Sequence, residues 1–254
     1  MSEPDGRTDL VEYAVYGAPG EIPDLGTLRA AVGNALVEVR SERVPDDWNE
    51  RWKRFYHPVL IGGRLYVRPP WERPAERGGV VEVVIDPGRA FGTGTHATTG
   101  MCLELMLGRR PERGLFGRGA LSFCDLGCGS GVLAIAAAKL GFEPVVGVDH
   151  EQAALEESKR NARLNYAELD FVRLDLREEP APVADLVAAN LTAPLLVEVA
   201  RRWEAKQWRP EALIASGFLS TEAAAVEQSL MRAGLAERRR LETSGWVALI
   251  AERV

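Results

Sequence analysis

Between Cys124 and Gly131 the chain reads CDLGCGSG, an acidic residue followed by Gly127, Gly129 and Gly131 at alternate positions. Glycine is needed where the backbone takes a positive φ or must approach a ligand with no Cβ in between, and an ordinary strand-to-helix turn does not need three. The turn therefore marks a nucleotide-like ligand site. A dinucleotide fingerprint spaces its glycines G-x-G-x-x-G/A, so that a pyrophosphate lies on the amides of a helix N-terminus. Here the spacing is G-x-G-x-G, with Asp125 just ahead. Asp149, ending the next strand-like run, offers two acceptor oxygens for the paired hydroxyls of a ribose. That role suits a methyl-donating nucleoside and NAD alike. Asp175, in the LDL that ends a third run, is placed to accept an adenine amino proton, or to serve as a turn acid beside Arg177. Asn190, at the end of VAAN, can accept through its carbonyl and donate through its amide, and so can hold a substrate amine. It is also a common residue for beginning a loop.

These positions lie at the ends of apolar runs that alternate with amphipathic ones from Val80 onward, the pattern of a doubly wound α/β sheet. In such a sheet ligands bind beyond the C-terminal strand ends. The pattern predicts strands at Leu121 to Leu126, Val145 to Asp149, Asp170 to Leu174, Asp185 to Asn190, Leu213 to Ser216, Ala236 to Glu242 and Trp246 to Ala251. The last two are expected to form an antiparallel pair. Helices are predicted at Val132 to Leu140, Gln152 to Asn165, Ala193 to Trp203 and Thr221 to Ala233, several ending at Gly or Asn as a helix C-terminus prefers. Ahead of this domain (80–254), residues 1–45 read as a small strand–helix–strand segment. Residues 46–79 read as a helical, aromatic linker in which Trp48, Trp52 and Phe55 share one helix face.

A length of 254 residues and an apolar fraction of 46% fit one large α/β domain with a small appendage. The net charge of −6 argues against broad phosphate neutralisation, so no direct nucleic-acid binding is expected. No apolar run is long enough to span a membrane, and the polar start MSEPDGRTDL does not resemble a secretory signal, so the cytoplasm is expected. Cys102, Cys124 and Cys128 have neither a disulfide framework nor a complete zinc ligand set, and no metal is expected. Cys102 fits an apolar helix face, His57 a packing or capping role, and Arg238-Arg239-Arg240 a solvated strand face.

Together, Gly92-Thr-Gly94-Thr-His96-Ala-Thr98-Thr99, CDLGCGSGVLAIAAAKLG, GVDHEQAALEESKRNARLN and VAANL resemble the ribosomal protein L11 methyltransferases, over about Asp47 to Val254. The resemblance implies a seven-stranded class I methyltransferase (Rossmann-like) sheet behind a ferredoxin-like domain, of which residues 1–45 supply about half. It implies S-adenosyl-L-methionine as cofactor, with donor contacts at Thr99, Gly127, Asp149 and Asn190, and N-methylation of lysine and α-amino groups of ribosomal protein L11. Where the family has a His-His pair this chain has Thr95-His96, so His96 alone remains to act catalytically or to cap and pack. Asn190 is the other candidate catalytic group, expected to orient the amine while Phe91 helps to exclude water. Three other readings stay open: a methyltransferase of the same build with another acceptor, an NAD-dependent oxidoreductase, and a catalytically silent binding protein.

Overall fold

The computed structural model describes residues 53, 56–76, 78–87, 96–109, 111 and 121–254. All belong to the compact unit Glu50–Val254. The segment expected at 1–45, the aromatic helix around Trp48, Trp52 and Phe55, and Phe91 with the rest of the loop up to Thr95 lie outside the described residues.

Three short strands, β1 (Val59–Ile61), β2 (Leu65–Arg68) and β3 (Val81–Val84), form a small sheet, with β1 antiparallel and β3 parallel to β2. Alternating Ile61, Leu65, Val67 and Val83 bury its inner face. The segment 46–79, expected as a helical linker, thus contributes two strands, and β2 pairs with β3 across the expected boundary at 79/80. His57, expected to pack or cap, is exposed.

Helix α1 (Ala97–Leu107) leads into the main sheet: β4 (Phe123–Leu126), α2 (Val132–Leu140), β5 (Val145–Asp149), α3 (Gln152–Leu164), β6 (Asp170–Arg173), β7 (Leu186–Asn190), α4 (Ala193–Lys206), β8 (Ala212–Leu219), α5 (Ala223–Arg232), β9 (Leu235–Thr243) and β10 (Trp246–Arg253). Its strand order is β6-β5-β4-β7-β8-β10-β9, with β10 antiparallel to β9, as the pattern predicts, and also to β8. The chain moves outward from β4 to β6 and then crosses back to β7. The switch point therefore lies between β4 and β7, where a doubly wound sheet opens a crevice.

Strand alternation divides the core. Leu186, Ala188, Ile214, Ala248 and Ile250 join one apolar cluster with α1, α2 and the small sheet; Val187, Ala189, Leu213, Leu249 and Ala251 join another with α4 and α5. Helix α2 contacts β3, β4, β5, α1 and α3, so VLAIAAAKL is apolar almost all round. Cys102 is buried on α1 as expected. On the outer strand, Arg238 pairs with Glu252, Arg239 with Glu104 of α1, and half-buried Arg240 with Glu227 of α5 as well as Glu237 and Glu242, so the run expected as one solvated strand face is instead ion-paired toward both helix layers.

Candidate functional site

The first wall of the crevice begins on β4, where Asp125 is 1% exposed. Helix α2 has no side-chain cap of its own at Gly131, and Asp125 supplies one from the strand: its Oδ2 accepts from Ala134 N at 3.1 Å. Burial raises the Asp125 carboxyl from 3.8 to about 7; the Ala134 bond opposes this, and the nearby Asp149 charge adds to it. The folded state then holds this proton up to a higher pH than the unfolded chain does. Stability contributed by the protonated form is complete below about pH 4 and is lost as pH rises through 7. Asp125→Asn keeps an acceptor for Ala134 but cannot titrate. Wild-type stability should therefore fall relative to this variant between pH 4 and 7, by a few kcal/mol, since each tenfold difference in proton affinity corresponds to about 1.4 kcal/mol. Urea unfolding across that range checks this, and parallel profiles would refute it.

The turn after β4 is fastened to the end of β5. Gly127 N and Cys128 N both donate to Val148 O, at 2.8 and 2.9 Å. Gly127 has φ 71°, and a Cβ there would lie 2.5 Å from Leu191 Cδ2. Gly129 N donates to Asp149 Oδ2 and Glu151 N to Asp149 Oδ1, each at 3.0 Å. The Asp149 carboxylate is thus held in one orientation, and each oxygen retains a lone pair for a ligand. Gly131 differs from its neighbours: a Cβ there would meet Ser158 Cβ at 2.9 Å and Phe171 Cζ at 3.2 Å. It does not line the crevice but packs the start of α2 on α3 and β6.

Beyond β6, Asp175 accepts from Arg177 Nε at 2.9 Å, Arg177 Nη2 at 2.7 Å and Arg177 N at 3.0 Å. Arg177 holds this carboxyl far below the ordinary carboxylate range. This Arg-paired turn acid also lines the crevice.

The second wall comes from α1, β7, β8 and β10. His96 is the N-cap of α1: Nδ1 accepts from Thr98 N at 3.4 Å and lies 2.8 Å from Thr98 Oγ1. Its ring meets Trp246 edge-on, with centroids 5.2 Å apart and planes at 74°. His96 thus caps α1 and packs on Trp246. Thr99 is fully buried, and its Oγ1 accepts from Asn190 Nδ2 at 3.4 Å. Among the described residues nothing donates to the buried Asn190 Oδ1.

These walls enclose about 770 Å³ at the strand ends. His96, Thr99, Asp125, Gly127, Gly129, Asp149, Asp175 and Asn190 line this one space. Trp246 and Gly217 also line it, and sequence reasoning missed both. For Gly217 a signal exists: a glycine inside the apolar run ALIASGFL marks a close backbone approach. A Cβ there would lie 2.5 Å from Leu191 O. Trp246 has no local signal, since the β8–β10 pairing that sets it opposite Leu219 places it here.

Cys102, Cys124 and Cys128 are free and buried, and burial pushes the thiols of the first two up to about 12. Among the described residues no group of three or more His, Cys, Asp or Glu side chains could hold a metal ion, and no helix is long and apolar enough to cross a membrane.

The family model described as ribosomal protein L11 methyltransferase (PrmA) matches residues 24–254. The chain belongs to the ribosomal protein L11 methyltransferase family. A relative of that name from Azotobacter vinelandii is 40% identical over 234 residues, 89% of this chain and 75% of its own. Another, from Caldanaerobacter subterraneus subsp. tengcongensis, is 40% identical over 169 residues, 66% of this chain and 52% of its own. The chain spans about half to three-quarters of the length of these two relatives. The crystal structure of ribosomal protein L11 methylase from Lactobacillus delbrueckii subsp. bulgaricus superposes with a TM-score of 0.64 at 27% identity, covering 78% of this chain and 98% of that one. The seven-stranded class I methyltransferase fold implied by the sequence is therefore the fold observed.

The turn is not arranged for the pyrophosphate that the hydride-transfer reading needs. A pyrophosphate needs free amides and positive potential at the start of α2. Here the Asp125 carboxyl takes Ala134 N and the Asp149 carboxylate takes Gly129 N.

Proposed function

We propose that this chain is an S-adenosyl-L-methionine-dependent N-methyltransferase whose acceptor is an amine, lysine or α-amino, of ribosomal protein L11. The observation that carries the reading is Asn190. Its Nδ2 donates to Thr99, and among the described residues nothing donates to the buried Oδ1, which leaves an acceptor beside the crevice that a bound amine N–H would satisfy. A buried acceptor left unpaired costs about 1–3 kcal/mol, which an N–H donor in the crevice would recover. A neutral amine has such an N–H and keeps a lone pair for attack.

The residues present fit the methyl donor. Asp149 would accept from the ribose hydroxyls, Gly129 would offer bare backbone to the ligand, Gly127 would hold the turn by making room for Leu191, and Asp175, already paired with Arg177, would accept from the adenine amino group. Thr99 acts through Asn190. Once bound, S-adenosylmethionine supplies a methyl group already activated on a sulfonium sulfur. The protein's task is then alignment, and Asn190 Oδ1, by accepting one amine N–H, turns the nitrogen lone pair toward the methyl carbon. A lysine ammonium, with an ordinary pKa near 10.4, must arrive without its proton; Leu191, Leu195 and Trp246 line the crevice with apolar surface that favours the neutral form. The family relatives carry the name of the acceptor, which supports L11 as the substrate here.

Asn190→Ala should lower kcat for methyl transfer to purified ribosomal protein L11 by about 10- to 100-fold, the scale of a lost buried hydrogen bond at 1.4 kcal/mol per decade. Donor affinity should change less than about threefold on the same scale. Unchanged turnover at saturating donor would overturn the role of Asn190. Mass spectrometry of methyl groups added to L11 and to a whole lysate tests the acceptor, and label found only in other molecules would replace it.

A further inference from the structure

Helix α3 and its C-cap bury two asparagines on the face turned to the core, Asn161 at 0% and the C-cap Asn165 at 4% exposure. They lie one helical turn apart, so both side chains emerge on the same side. Each behaves as a peptide group would in a neighbouring strand. Asn165 Oδ1 accepts from Val84 N at 2.8 Å and its Nδ2 donates to Val84 O at 2.6 Å; Asn161 Oδ1 accepts from Asp86 N at 2.9 Å and its Nδ2 donates to Asp86 O at 3.4 Å. The opposite edge of this segment pairs with β2, where Ile85 N donates to Arg68 O at 2.9 Å. The two amides thus close the free edge of β3.

Asn161 does one thing that Asn165 does not. Its Nδ2 also donates to Ser130 O at 2.9 Å, inside the turn whose Gly127 and Gly129 face the crevice. The neighbouring Gly129 N is the group that orients the Asp149 carboxylate. Asn161 therefore spans from the small sheet to the glycine turn, within two residues of the contact that aims Asp149. Asn165 Nδ2 instead returns to Asn161 O at 2.8 Å.

We propose that Asn161 is a positioning residue for the donor end of the crevice, setting the glycine turn through Ser130 O, whereas Asn165 serves only the packing of β3. This inference rests on the proposed function. It predicts that two buried asparagines on one helix, with matching contacts to β3, differ in their effect on S-adenosylmethionine. The test compares wild type, Asn161→Ala and Asn165→Ala by calorimetric titration with S-adenosylmethionine, each at a fixed interval below its own melting midpoint. Asn161→Ser, whose short hydroxyl cannot bridge Asp86 and Ser130, stands in if the alanine variant does not fold. Both alanine variants should melt lower. Only the Asn161 variants should bind the donor about tenfold more weakly, with KM for the donor raised by a similar factor and kcat at saturating donor near wild type, the mark of lost uniform binding. An Asn161 variant that binds within twofold of wild type, or an Asn165→Ala variant weakened as much, overturns the proposal. A wild-type chain that binds no S-adenosylmethionine overturns the function reading itself, a result distinct from either.

Discussion

Replacing Asp149 with alanine should weaken S-adenosylmethionine binding by about three orders of magnitude while leaving the fold intact. The carboxylate would accept two ribose hydroxyls, and hydrogen bonds to a charged acceptor contribute about 1.5–3 kcal/mol each. Two of them give roughly 3–6 kcal/mol, or two to four decades in affinity. The substitution also releases Gly129 N and Glu151 N, both held on the carboxylate at 3.0 Å, so the turn and the start of α3 lose their shared anchor. Asparagine should not restore binding. Its amide nitrogen would face one of those two N–H groups, donor against donor, and it carries no charge. Asp149 is buried, at 9% exposure, and its loss leaves Gly129 N and Glu151 N without their acceptor, so a lower melting midpoint should accompany the lost binding. Calorimetric titration of wild type, Asp149→Ala and Asp149→Asn reads the difference. An alanine variant within fivefold of wild type would remove Asp149 from the donor site.

Gly217→Ala should be the most damaging single methyl group in the described part of the chain. Gly217 lies in β8 with φ 91°, and its missing Cβ would fall 2.5 Å from Leu191 O and 2.8 Å from both Leu191 C and Leu191 N. Every one of those atoms is backbone, so no side chain can rotate away. Leu191 N is itself bonded to Ser216 O at 2.9 Å, which ties the two segments at this point. Separating them would shift Asn190, one residue earlier, and with it Oδ1. The expected cost is above about 3 kcal/mol, in the range reached by core overpacking combined with backbone strain. Methyl transfer should be lost with it. Gly245→Ala provides the control: φ there is 77°, yet nothing lies within 4 Å of a built Cβ. It should cost only the left-handed strain, about 1–2 kcal/mol. Thermal melting separates the two, and equal losses would show that the contact with Leu191 relaxes freely.

The parts of the fold that were legible in the sequence are those whose signals are local. Helix α2 was placed at both ends because Gly131 and Gly141, each with positive φ, bracket an uninterrupted apolar run. The five parallel strands and the terminal antiparallel pair followed from apolar runs closed by turn residues. The two strands inside 46–79 were not legible because they are only three and four residues long, and β2 is completed by β3 from beyond the expected boundary. A run so short carries no period of its own. Asp125, Gly127, Gly129, Asp149, Asp175 and Asn190 all line the crevice, because the rule about strand ends applies residue by residue. Gly131 was expected at the ligand site from the glycine spacing, and its close neighbours are Ser158 and Phe171. Spacing reveals that a glycine is needed there but not whether a ligand or Ser158 and Phe171 require it.

The sequence by itself determined the sheet, the glycine turn, the strand-end acids and Asn190, since each is specified by residue types within a few positions of one another. Only the tertiary structure decided what those residues do to one another. Asp125 became the cap of α2, the Asn190 amide donates to Thr99 while among the described residues nothing donates to its buried Oδ1, and Trp246 arrived beside His96 through the pairing of β10 with β8. Asn161 looked like any polar residue of an amphipathic helix until β3 and Ser130 were brought against it. Hydrogen-bond direction and close backbone approach depend on groups 9 to 91 residues apart along the chain, and no local pattern encodes them before the sheet has assembled.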